Sequence, residues 1–127
     1  MRILPCRLVF GWSAALILLG AGRGAAAEDP FAALRAYRAG QGPDVPQRVE
    51  NAVRAAAGTP AVSEVEQRLI GILDSDAAFD ARDLACRHLR AVGTERAVPS
   101  LARLLGNAEL NSIARYALEA IPGDAAA

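Results

Sequence analysis

A six-position apolar stripe occurs three times along this chain, and it constrains the fold more than any other feature. In Ala81, Leu84, Ala85, His88, Leu89 and Val92 the offsets are 0, 3, 4, 7, 8 and 11, the spacing of one helix face. Moved on by 29, the same template reads Leu110, Ile113, Ala114, Ala117, Leu118 and Ile121, all apolar. Moved back by 36, it reads Val45, Arg48, Val49, Ala52, Val53 and Ala56, apolar at five of six positions. The intervening segments match too: Leu69, Ile72 and Leu73 correspond to Leu101, Leu104 and Leu105 at an offset of 32. A period of roughly 30 residues is the signature of stacked helical pairs. One pair cannot bury its own stripe, but stacking makes each stripe a shared wall. An ordinary bundle of three to five helices would share the stripes but has no need of matched offsets. The expected fold is therefore all-α, a short right-handed α-α superhelix with alternating long and short helices. It amounts to about two and a half helical hairpins.

Turn-forming residues place the helices. Asp29 caps a first helix, with Pro30 at its first position, over Pro30 to Ala39. The second is expected over Asp44 to Ala57, stopped by Gly58 as a left-handed terminator. The third spans Val62 to Leu73, and the fourth Ala78 to Val92 before Gly93. The fifth lies between Thr94 and Leu105, with Pro99 moving its start toward Ala97. The sixth covers Ala108 to Ile121 and stops at Pro122. Residues 28–43 form a short helix and linker, and residues 44–127 the repeats, the last of them truncated.

The segments Phe79 to Leu89, Val92 to Leu101 and Ala114 to Pro122 resemble HEAT repeat-domain proteins, most closely the exported ones of planctomycete and verrucomicrobial type. The resemblance covers roughly Asp29 to Ala127. It implies protein–protein scaffolding without catalysis, and it brings no catalytic residue and no cofactor. Such proteins usually continue for several more repeats. A lyase-like HEAT-repeat enzyme component or accessory subunit is the competing reading.

Residues 1–27 read as a secretory leader. Arg2 and Arg7 precede an apolar run from Leu8 to Gly22, and Ala25 to Ala27 supply a small-residue site with cleavage between Ala27 and Glu28. The run is shorter than the ~18–20 residues of a spanning helix. Arg23, close to the cut, keeps an uncleaved leader and a membrane-tethered scaffold as the alternative. The expected location is periplasmic or secreted, otherwise anchored in the inner membrane. Without the leader, positions 28–127 carry 11 Arg and 14 Asp or Glu, a net charge of −3. That balance argues against nucleic acid as a partner. Cys86 is then the one remaining cysteine, so no internal disulfide supports the fold.

Few residues invite chemistry. His88, the single histidine, lies on a stripe and reads as a packed ring near a helix end; a metal site would need further ligands. Cys86, two residues away, points elsewhere on the helix and reads as small apolar filler. Asp74, Asp76, Asp80 and Asp83 form an acidic cluster. It lacks the order of a calcium loop and reads as helix capping. A partner-binding face is expected on the shorter helices, at Glu64, Arg68, Arg96 and Arg103, with Glu66 beside them. The partner is an unidentified protein. The stripe of the sixth helix, Ile113, Leu118 and Ile121, is expected to be covered on one side only, leaving an open end able to self-associate.

Overall fold

The computed structural model describes residues 28–123. The leader assignment therefore lies outside the described residues, except for Glu28, which is exposed and 3.5 Å from Arg48. Among the described residues every regular element is helical: α1 Pro30–Arg35, α2 Asp44–Ala56, α3 Val62–Leu73, α4 Phe79–Val92, a 3₁₀ turn Glu95–Ala97, α5 Val98–Leu104 and α6 Asn111–Leu118. No helix among them is long and apolar enough to cross a membrane.

The ends follow local chemistry. Asp29 caps α1 by accepting the Phe31 N–H at 2.9 Å. Gly58 takes φ 78°, the left-handed conformation expected after α2. Thr94 Oγ1 accepts the Arg96 N–H at 3.3 Å, and Pro99 sits in the first turn of α5, where its missing N–H leaves no bond unmade. Two helices are shorter than expected. α1 stops at Arg35, and the chain beyond it is held by tertiary contact: the Ala39 N–H donates to Asp80 Oδ2 on α4 at 2.9 Å. α6 starts late, at Asn111, because Asn107 Oδ1 accepts the N–H groups of Glu109 and Leu110, making a side-chain-closed turn. It ends early because Pro122 disfavours helical backbone at Ile121.

Gly93 closes α4 differently from the way Gly58 closes α2. Its backbone is extended, with φ −72° and ψ 147°, not left-handed. A Cβ there would lie 2.5 Å from the Leu89 carbonyl oxygen and 3.2 Å from Ile121 Cδ1. Glycine is needed for close approach: the α4 end and the residues after α6 meet across it.

The helices pack in two rows. α1 packs on α3 and α3 on α5; α2 packs on α4 and α4 on α6. Across the rows, α1 pairs with α2, α3 with α4 and α5 with α6. Each odd helix thus pairs closely with the even helix after it, whereas a repeat starting at Asp44 pairs each even helix with its successor. α1 belongs to the same core, with Phe31 and Leu34 buried among the residues of the other helices. The expected alternation of lengths is weak, since α3 has 12 residues and α6 has 8. All three stripes face inward: every position is buried or half-buried, including Arg48 and His88. The stripe of α6 is covered on more than the one side expected. α6 lies against both α4 and α5; Leu118 and Ile121 are buried and Ile113 is half-buried. Of the sequence pairs, Leu105 breaks the match, being 41% exposed where Leu73 is buried.

Candidate functional site

The four residues expected to form a partner face all belong to the odd row, and three of them tie neighbouring odd elements together. Arg68 on α3 reaches the Asp29 cap of α1, bonds Glu64 at 3.5 Å, and stands 5.8 Å from the centre of the Phe31 ring. Arg96 donates to Ser63 Oγ at the start of α3, at 2.8 Å. Arg103 on α5 donates to Asp74 Oδ1 just past α3 at 2.7 Å, and to Ser100 Oγ at 3.1 Å. Each arginine is anchored to the preceding odd helix or its ends. These are surface pairs, each worth at most about 1 kcal/mol. Their main effect is to hold guanidinium groups in place along the grooves between odd helices. Asp29 shows the coupling: burial raises its pKa, but the Phe31 N–H and the Arg68 guanidinium outweigh this and hold it below its ordinary value.

Glu66 does not belong to the face. It is 2% exposed, and its Oε1 accepts both the N–H and, at 2.7 Å, the Oγ1–H of Thr94. It fastens α3 to the turn between α4 and α5. The residue type is what an exposed ridge would show; only the neighbouring Thr94 makes it a buried clamp.

Cys86 and His88 form no reactive pair. Cys86 is fully buried, and burial pushes its thiol up to about 12, so the nucleophilic thiolate is scarce at neutral pH. His88 is half-buried; burial lowers its pKa, an effect partly opposed by Glu50. Three of the four residues of the acidic cluster take structural roles, and Asp76 is exposed. Asp74 pairs with Arg103, Asp83 with Arg87 at 2.8 Å, and Asp80 holds the Ala39 N–H. No group of three or more His, Cys, Asp or Glu among the described residues is placed to hold a metal ion.

A groove of about 530 Å³ lies on the odd row between α1 and α3. Arg68 and Glu64 form part of its wall, with Arg35, Gln67 and Gly71. Sequence reading singled out neither Arg35 nor Gly71. A signal for the second was present: a glycine inside an expected helix costs about 1 kcal/mol relative to alanine. Arg35 had none, because its closeness to Gly71 arises from packing between helices far apart in the chain.

An all-helical protein with two packed rows of helices and a groove-bearing, arginine-tied face is the class these observations define. Compared with protein-family models, curated proteins and solved structures, the chain matches none.

Proposed function

We propose that this chain is a non-catalytic protein–protein interaction scaffold of HEAT-like repeats, exported from the cytoplasm and wound as a short right-handed α-α superhelix. The observation that carries the reading is the inward orientation of all three matched stripes within two rows of helices. Stacked pairs leave one continuous face per row, and such faces are what repeat proteins present to partners. The odd row bears the arginine-tied grooves, so it is the docking side. Burial of Cys86 and the pairing of Asp74 and Asp83 with arginines favour binding over catalysis.

Photo-crosslinking in the native host tests the scaffold. A photoreactive residue at Gln67 or Ala102 on the odd row should give a discrete adduct with one protein, and one at Asn51 or Arg115 on the even row should not. Absence of any adduct, or equal yields from both rows, would overturn the reading. N-terminal sequencing of the same material addresses export: a start at Glu28 is expected, and a start at Met1 would favour the anchored alternative.

A further inference from the structure

We propose that the small cleft where the turn after α3 meets α4 and α5 binds one tetrahedral oxyanion, a phosphate group held by Arg82, Arg103 and the Ser100 hydroxyl. The site goes beyond the scaffold reading and does not depend on it.

The cleft has a volume of about 260 Å³, and its polar wall is Asp74, Ser75, Arg82, Ser100 and Arg103. Two cations face one anion there, so the wall is net positive although the described chain is acidic. Asp76, the other acid of the turn, is exposed and is not part of the wall.

The first observation is an unused donor. Ser100 is 4% exposed. Its Oγ accepts from Arg103 Nη2 at 3.1 Å, but its own proton meets no acceptor among the described residues. Thr59 and Ser75, by contrast, donate theirs to the Ala56 and Ile72 carbonyls. A buried hydroxyl without an acceptor is costly, and buried polar groups are nearly always paired. An oxyanion in the cleft supplies the missing acceptor.

The second observation is Arg82. Lacking an ion pair does not by itself mark an arginine in this protein, since Arg35, Arg38, Arg90, Arg96 and Arg115 lack one too among the described residues. Of these and Arg82, only Arg82 and Arg90 are half-buried. Arg90 is matched by the Tyr116 ring at 3.8 Å and the Tyr116 carbonyl at 2.7 Å. Arg82 gives its Nε–H to the Ala77 carbonyl at 2.9 Å, and its Nη1 and Nη2 meet no acceptor among the described residues. A guanidinium cannot shed its proton to relieve burial, so a half-buried one favours a counter-charge.

The arrangement selects the ligand. Arg82 comes from α4, and Arg103 and Ser100 come from α5. A carboxylate is planar and matches one guanidinium fork. A phosphate presents oxygens in several directions, to both helices at once, and carries more than one negative charge at neutral pH. The cleft admits one such group and no length of peptide. Asp74 is the built-in competitor, because its Oδ1 accepts from Arg103 Nη2 at 2.7 Å. Free phosphate and a phosphorylated serine of a bound protein offer the same chemistry.

The test is isothermal titration calorimetry of the folded chain, at constant ionic strength, with inorganic phosphate, acetate and N-acetyl-O-phosphoserine amide. Phosphate should bind at least about tenfold more tightly than acetate. Arg82→Gln should weaken phosphate about tenfold and Ser100→Ala about threefold, while Arg54→Gln on α2 should leave it unchanged. Asp74→Asn removes the negative charge of the wall and keeps an acceptor for Arg103; it should tighten phosphate several-fold, a gain that a damaged fold would not produce. Tighter binding of the phosphoserine derivative than of phosphate assigns the group to a partner's side chain, and the reverse order assigns it to the free ion. No heat of binding up to about 10 mM phosphate, acetate bound as tightly, affinity indifferent to Arg82→Gln or Ser100→Ala, or weaker binding in Asp74→Asn would each overturn the assignment.

Discussion

His88 illustrates how a residue's environment changes its meaning. Its ring occupies a stripe position on α4, half-buried, and burial favours the neutral form. Its folded pKa therefore lies below the ordinary value of 6.5. Between the two values the unfolded chain binds a proton that the folded chain does not, so stability rises with pH there and falls on acidification. Melting temperature should drop from neutral pH to about pH 5.5, and His88→Gln should flatten that drop. Identical slopes in the two proteins would remove His88 as the cause. Cys86, two residues away, is fully buried, and Gly93 at the end of the same helix is fixed by a carbonyl 2.5 Å from where its Cβ would be. In all three, the residue type was plain in the sequence, but its role depended on which atoms lay opposite.

At the scale of elements, the interest lies in how one helix is tied to the next. α4 and α5 are joined by a tight turn, and that turn is held from α3 through Glu66. A buried carboxylate is costly unless its hydrogen bonds are made, and here one oxygen takes two donors from Thr94. Glu66→Ala should destabilise the fold by about 2 kcal/mol, and Glu66→Gln, which keeps an acceptor, by markedly less. Urea unfolding followed by far-UV circular dichroism measures both; an alanine variant as stable as the parent would show that the clamp carries no load. Helix positions were largely legible. α3 has the expected limits, and α2 and α4 differ by a single residue at one end. Stripes, prolines and glycines act locally, so a linear reading recovers them. The ends of α1 and α6 were not legible, since a side-chain bond from Asp80 and an Asn107-closed turn replace helical hydrogen bonds there.

For the molecule as a whole, α1 matters more than its short length suggests. Phe31 and Leu34 are buried in the common core, each worth about 1.5–3 kcal/mol. A chain beginning at Asp44 should lose about 3–6 kcal/mol and expose the walls of α2 and α3 that α1 covers. Equilibrium unfolding of that shortened chain beside the full one is the measurement, and equal stabilities would mean α1 is an appendage after all. The exposed large apolar residues, Phe79, Leu105 and Tyr116, are scattered over different parts of the chain, and Tyr116 lies under the Arg90 guanidinium at 3.8 Å.

The repeating stripe was present in the sequence from the start. It placed the helices and oriented their faces, because amphipathic spacing is a property of consecutive residues and every stripe position indeed turned inward. Which helices pair was decided in three dimensions. So was the burial of Glu66, and so was the meeting of Arg35 with Gly71. Contacts between residues on separate helices depend on the rotation and offset of one helix against the next, and a linear pattern of apolar residues carries no measure of either.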